Sequence, residues 1–479
     1  MNASVRPSSC VIGLSGLLLV PCFWQPRIQA GDLSSHLYNA WLAQLIVRGQ
    51  APGLTLAAQS NNVLFDLMLS GLMRAWGPAA AERIAVSLAV LIFFWGAFVY
   101  VWSSSRVRPA TPPWHWAPCL AMLAYGWVFH MGLFNFYISL GLCFGALACF
   151  GRRERWAMAG AAALLALAFV AHALPVVWAL GVLGYGRAAQ ALAPRRRLWL
   201  LAAAMVALAL AGAILGSNFA TSRGPSQFMA MTGADQVWIY GRNYIGIAVA
   251  VLAVWVVCFE RVIASRGALR TVLDTRFQLC LLSAAAMVLL PDGVLLPGFR
   301  HGLMFLAERM SLAGAVLFCA LAAAVRLPKP LVGAMAVIAL VFFGLSYRDQ
   351  RALNAVEMQM EQAVEQLPPG QRVVSVLADP ASRVNPLAHL VDRICVGRCF
   401  SYANYEPSTA QFRVRANPEN RFVVSQYDES WSIQTGGYVV KTRDLPLYNI
   451  DLCAPSSARI CVAPLRAGTT LRPTVLGGG

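Results

Sequence analysis

Apolar residues run in long blocks over the first 346 positions, and beyond them the pattern turns mixed and polar. A helix crossing the bilayer hydrocarbon needs about 20 apolar residues. Blocks near 9–24, 81–102, 116–130, 133–150, 156–174, 176–190, 198–217, 245–259, 277–291, 311–325 and 331–346 therefore predict eleven membrane-spanning helices. The longest interruption between blocks is 25–80, the first loop. Within it Leu37, Ala40, Trp41, Gln44, Leu45 and Arg48 recur at helical spacing, and Asn61 to Trp76 forms a second amphipathic stretch after the break AQSNN. Two such helices in one loop are expected to lie along the membrane interface.

From Tyr347 the periodicity stays helical but turns polar, which predicts a stalk over 347–370 ended by LPPG. Residues 371–479 then read as an α/β domain, with strands in Arg372 to Asp379, FSYANY, QFRVRA, RFVVSQY and GYVVKTR and a helix in NPLAHLVDRI. The expected fold class is an all-α polytopic bundle of the 1–346 region carrying a C-terminal α/β domain outside the cytoplasm.

Charge sharpens this topology. The chain is 58% hydrophobic and only 12% charged, with a net charge of +17. The residues from Tyr347 onward hold 14 basic and 12 acidic side chains, so +15 of the excess lies in the membrane part. With the N-terminus inside, the cytoplasmic loops hold 16 basic residues, including Arg152, Arg153, Arg155 and Arg195 to Arg197, against three acids. The opposite side holds eight basic and six acidic residues. That is the positive-inside distribution, and it argues against a nucleic-acid partner. Residues 1–30, with Arg6, a short apolar core and Ala30, also read as a signal peptide or as the first insertion signal. No internal repeat and no Gly-rich phosphate motif is visible.

Eight of twelve cysteines lie in apolar blocks, where a thiol acts as a small hydrophobe. Cys395, Cys399, Cys453 and Cys461 lie in the polar tail. Four there fit two disulfides of undetermined pairing in an oxidising compartment, and a zinc site is the rival reading.

Candidate chemistry gathers at the outer rim. His36, His130, His172 and His301 all map there, with Asp32, Asn61, Asn62, Asp66, Asn135, Arg300, Glu308 and Arg309; His389 falls in the tail. Simple interfacial solvation is the alternative for each one alone. Asp32 reads as the N-cap of its helix, or as a general base or metal ligand sharing a face with His36 at i, i+4. Arg300, His301 and Arg309 flank a short apolar segment where a lipid phosphate would sit, or the arginines snorkel and pair with Glu308.

An inward first span, a long outer loop with an early acid in GDLSSHLYNAWLAQLI, interfacial helices, many spans and an outer tail together resemble the GT-C superfamily of membrane glycosyltransferases. That superfamily includes the protein O-mannosyltransferases, aminoarabinose transferases and oligosaccharyltransferases, and the resemblance covers about residues 9–346. It implies a sugar taken from a polyprenyl-phosphate or polyprenyl-diphosphate carrier on the periplasmic face of a bacterial inner membrane, and passed to a glycan, lipid or protein acceptor. Asp32 matches the first-loop acid that serves such enzymes as base or metal ligand. His36 is expected to orient Asp32 or the acceptor. Arg300, His301 and Arg309 are expected to hold the carrier phosphate, with His130, His172, Asn62 and Asp66 as further substrate contacts. Many members carry paired acids in this loop, whereas Asp32 stands alone until Asp66, so a divalent metal stays open. A flippase for a lipid-linked sugar and a scaffold displaying the tail are the alternatives.

Overall fold

The protein is described here by a computed structural model covering residues 7–105, 112–151, 154–409, 411–454 and 457–476. Arg6, Arg152 and Arg153, used in the topology argument, lie outside the described residues. The chain is mostly helical with a few small sheets. Its first part holds α1 (Pro7–Leu19), α2 (Leu33–Val47), α3 (Leu64–Ser104), α4 (Ala117–Ala124), α5 (Trp127–His130), α6 (Phe134–Phe150), α7 (Arg155–Ala171), α8 (Ala173–Ala191) and α9 (Arg196–Asn218). Then come α10 (Ser226–Ala230), α11 (Asn243–Arg266), α12 (Ala268–Val272), α13 (Thr275–Leu289), α14 (Leu306–Ala322) and α15 (Lys329–Val364). The tail adds α16 (Leu387–Ile394), α17 (Tyr405–Thr409) and α18 (Tyr427–Thr435).

Each apolar block coincides with helix. Among the described residues, four helices are long and apolar enough to cross a membrane by length and composition: α3, α9, α11 and α15. Helix α9 shows what such a helix presents outward. Val206, Leu210 and Ile214, spaced four apart, are each 58% exposed, an apolar stripe that water would not tolerate and lipid does.

Three boundaries differ from the sequence reading. The 116–130 block is two helices, because the chain turns extended at Gly126 (φ −77°, ψ −166°) where the Gln236 carbonyl packs against it. The second amphipathic stretch and the following span are one element, α3, broken at Gly77 (φ 79°) before Pro78. The last span and the stalk are likewise one 36-residue helix, α15, since nothing between Leu345 and Gln350 breaks a helix.

Beyond α15 lies a four-stranded mixed sheet with strands, in spatial order, Phe400–Ser401, Arg372–Ser375, Tyr448–Leu452 and Ile460–Pro464. Two expected strands do not form. In RFVVSQY the Asn420 side chain accepts from the amides of Phe422 and Val423 and turns the chain. In GYVVKTR only an isolated bridge, Val439 to Thr470, remains. QFRVRA does form a strand, Val414–Ala416, but it pairs antiparallel with Leu54–Leu56 of the first loop. The tail cysteines pair locally, Cys395–Cys399 and Cys453–Cys461.

That strand pair is part of a broad seam between the first loop and the tail. The Ser401 amide donates to the Tyr38 hydroxyl, Asn404 donates to Asn39, and Arg413 donates to Ser70. Helix α2 is therefore buried over Leu33, Ser34, Ser35, Leu37, Tyr38, Asn39 and Ala40. The helix is enclosed on both sides: Leu33, Leu37 and Ala40 meet the bundle, while Tyr38, Leu42, Ser35 and Asn39 meet the tail. A charged core locks the seam. Arg393 of α16 donates to Glu82 of α3 at 2.8 Å and to both oxygens of Glu357 of α15 at 2.7 and 2.9 Å. Glu357 also receives Arg27 at 3.0 Å and Gln29 at 2.6 Å.

Candidate functional site

The turn at His130 to Gly132 sets the backbone of the first-loop acid. Gly31 donates to the His130 carbonyl at 2.6 Å and Asp32 donates to the Met131 carbonyl at 2.9 Å. A Cβ on Gly31 would lie 2.8 Å from the Met131 oxygen, and one on Gly132 (φ +82°) 2.5 Å from the Asp32 nitrogen. Two glycines are thus required by the close approach of two backbones. Asp32 occupies the N-cap position of α2, yet its side chain makes no capping hydrogen bond. The carboxylate faces Nε2 of His389 at 3.6 Å instead, and its charge acts on Arg309, His301, Tyr405, Glu406 and His36. Of its two readings, the capping one is not what the geometry uses.

Arg309 comes from the first turn of α14. The turn opens after Phe305, a non-glycine residue in the left-handed region (φ 59°), and Asp292 caps it by accepting from the Ala307 amide at 3.0 Å. Among the described residues the Arg309 guanidinium has no hydrogen bond or ion-pair partner, and its buried Nε is unsatisfied. Burial and the neighbouring Glu308 raise the Asp292 carboxyl to about 6. His301 is held by Tyr427, whose hydroxyl lies 2.9 Å from Nδ1, and by two hydrogen bonds with Gln411. Its ring lies among Tyr405, Phe412 and Tyr427. Burial lowers its pKa despite Asp32.

Beside these groups is an open cleft lined by His36, Asn39, Gln59, Asn62, Asp66, Glu406, Phe412 and Arg413 among others. His36 donates to Asp66 at 2.7 Å rather than orienting Asp32. Asn135 fixes Asp66 from the other side at 2.9 Å, while its own carbonyl accepts from the Phe65 amide. Burial opposes the imidazolium, but Asp66 outweighs it and lifts His36 to about 9. Burial also raises Glu406 to about 8, with His36 opposing and Asp66 and Asp32 adding. Near neutral pH His36 is thus an imidazolium and Glu406 holds its proton.

The other expected contacts fall outside this arrangement. Arg300 is exposed at the tip of the loop before α14 and makes no described side-chain contact. His130 is fully buried, bonded to the Gly126 carbonyl and to Gln350. His172 caps α8 by accepting from Leu174 and reaches Arg309 only through charge. No three His, Cys, Asp or Glu side chains among the described residues are arranged to hold a metal ion.

Sequence reasoning missed the tail's contribution: His389, Asp392, Tyr405 and Glu406. Their separation from Asp32 is hundreds of residues, so no local pattern ties them to it. The one signal was the run HLVDR, which puts His389, Asp392 and Arg393 on one helix face at i, i+3 and i+4. In comparisons with protein families, curated proteins and solved structures the chain matches none.

Proposed function

We propose that this chain is a membrane-embedded glycosyltransferase of the GT-C kind, moving a sugar from a polyprenyl-phosphate carrier to an acceptor on the outer, periplasmic face of a bacterial inner membrane. In this reading the protein crosses the bilayer eleven times, with the N-terminus inside and the C-terminal α/β domain outside. The observation that carries it is the Arg309 guanidinium, without a hydrogen-bond or ion-pair partner among the described residues, beside an Asp32 carboxylate that makes no capping bond. Arg309 is half-buried with its Nε out of reach of water and of any hydrogen-bond acceptor, a position that an arriving anion would satisfy. A lipid phosphate is such an anion at the end of a membrane helix, and Arg binds it through its planar fork. Arg309, helped by His301, would hold that phosphate and stabilise the charge it gains as the sugar leaves. Asp32 would take the proton of the acceptor hydroxyl. The small cleft of His36, Asn62, Asp66 and Glu406 begins one turn along α2 from Asp32, and the acceptor hydroxyl would approach from that side.

Binding of sugar-free polyprenyl monophosphate tests this without knowledge of the sugar. Native mass spectrometry of the purified protein should detect it. Arg309→Gln should weaken binding by about tenfold or more, since a hydrogen bond to a charged group contributes about 1.5–3 kcal/mol. Arg300→Gln should leave it within about twofold, the range expected of an exposed side chain. Equal binding by Arg309→Gln and the unaltered protein would overturn the reading.

A further inference from the structure

We infer that His389 is a positioning residue for Asp32, so that the C-terminal region completes the site instead of serving as an appended module. The inference rests on the reading of Asp32 as the base, but its geometry stands independently. His389 lies between two carboxylates. Its Nδ1 donates to Asp392 at 3.0 Å, and its Nε2 faces Asp32 at 3.6 Å. Asp392 is on the same helix, α16, and its side chain is only 3% exposed. The Tyr405 ring closes over the imidazole. The groups facing His389 are thus Asp392 from its own helix, Asp32 from the start of α2, and Tyr405 and Glu406 from α17. No cation among them competes for the position.

The arrangement has a clear physical consequence. The carboxylate at Nδ1 orients the ring and, with Asp32, favours the imidazolium, whose Nε2–H then points toward Asp32. Asp32 is then drawn away from the amides of its own helix terminus, which is where an N-terminal aspartate otherwise bonds. One helical turn on, Arg393 is bolted between Glu82 and Glu357 and donates to the Ile28 carbonyl at 2.8 Å. Helix α16 therefore holds both ends of the segment 28–32, the front by Arg393 and the acid by His389. The lock on one turn and the pointer on the next share a rigid element.

The test uses the full-length protein in nanodiscs with ¹³Cε1-labelled histidine. The chain has six histidines, and the His389 signal is assigned by its loss in His389→Gln. The His389 titration midpoint should fall in Asp392→Asn and fall in Asp32→Asn, because each removes a carboxylate that favours the imidazolium. Asp274→Asn, whose carboxylate pairs with Arg266 and Arg276 at the turn between α12 and α13, should leave the midpoint in place. A midpoint unmoved by Asp32→Asn would overturn the inference while leaving the role of Asp32 in transfer to be judged by activity. Conversely, transfer retained by Asp32→Asn with the midpoint shift intact would defeat the base assignment and not the coupling. A thermal midpoint unchanged in each variant shows that the shifts are electrostatic; unfolded variants are replaced by Asp392→Glu, which should keep the midpoint raised.

Discussion

Removing Arg393 should loosen the tail from the helical bundle. In Arg393→Met the apolar stem is kept and the guanidinium is lost. Its partners, Glu82 and Glu357, have side chains only 6% and 0% exposed. Arg27 still neutralises Glu357 from one side, but Glu82 loses its only described ion-pair partner. Breaking one side of a buried ion pair costs about 3–5 kcal/mol, because the remaining charge stays out of water. Neutralising the carboxylates as well should return much of that loss, so Arg393→Met with Glu82→Gln and Glu357→Gln should be more stable than Arg393→Met alone. The assay is limited proteolysis of detergent-purified protein over a urea series, scored at the exposed turn between Leu367 and Arg372. The single variant should be cut at distinctly lower urea and the triple variant at intermediate urea. Equal resistance of the single variant and the parent would refute the reasoning, as would a triple variant weaker than the single one.

Three further outcomes follow from the same geometry. Gly132→Ala should cost about 1–2 kcal/mol for the left-handed backbone alone, more with the clash against Asp32, and should lower thermal stability. The site should loosen in alkali. His36 and Glu406 both have folded pKa values above their unfolded ones, so each contributes stability that is complete below the unfolded value and lost as pH rises, Glu406 through about 8 and His36 through about 9. A stability profile that improves from pH 7 to pH 9.5 would contradict this, and Glu406→Gln should flatten the Glu406 part of the fall. Non-reducing peptide maps should show Cys395–Cys399 and Cys453–Cys461, and replacing either pair by serine should cost about 2 kcal/mol on the loop-entropy scale; cross-pairing between the two sets would contradict the fold.

What the sequence disclosed and what it hid have physical causes. Apolar blocks are local, so the bundle helices were legible, as was the helix beginning at Asp32. The polar positions of α2 were legible as polar but not as buried. Ser35 and Asn39 look like a solvated face until Glu406 and Asn404 are brought against them from the tail. Leu54–Leu56 is too short to read as a strand alone and exists because Val414–Ala416 pairs with it. Arg300 and Arg309 are indistinguishable by composition and spacing. They part only in the fold, where Arg309 sits half-buried in the first turn of α14 beside Asp32, while Arg300 stays at an exposed tip. His389 was visible as a histidine but not as a neighbour of Asp32.

The central claim is that Arg309 and Asp32 form one phosphate-carrier site. A cryo-electron microscopy structure of the protein in nanodiscs with sugar-free polyprenyl monophosphate tests it most directly. The account predicts the phosphate at hydrogen-bonding distance from the Arg309 guanidinium, about 3 Å, beside Asp32, with the prenyl chain leaving into lipid. A phosphate seated at Arg300 or elsewhere, with Arg309 still unpartnered, would contradict it.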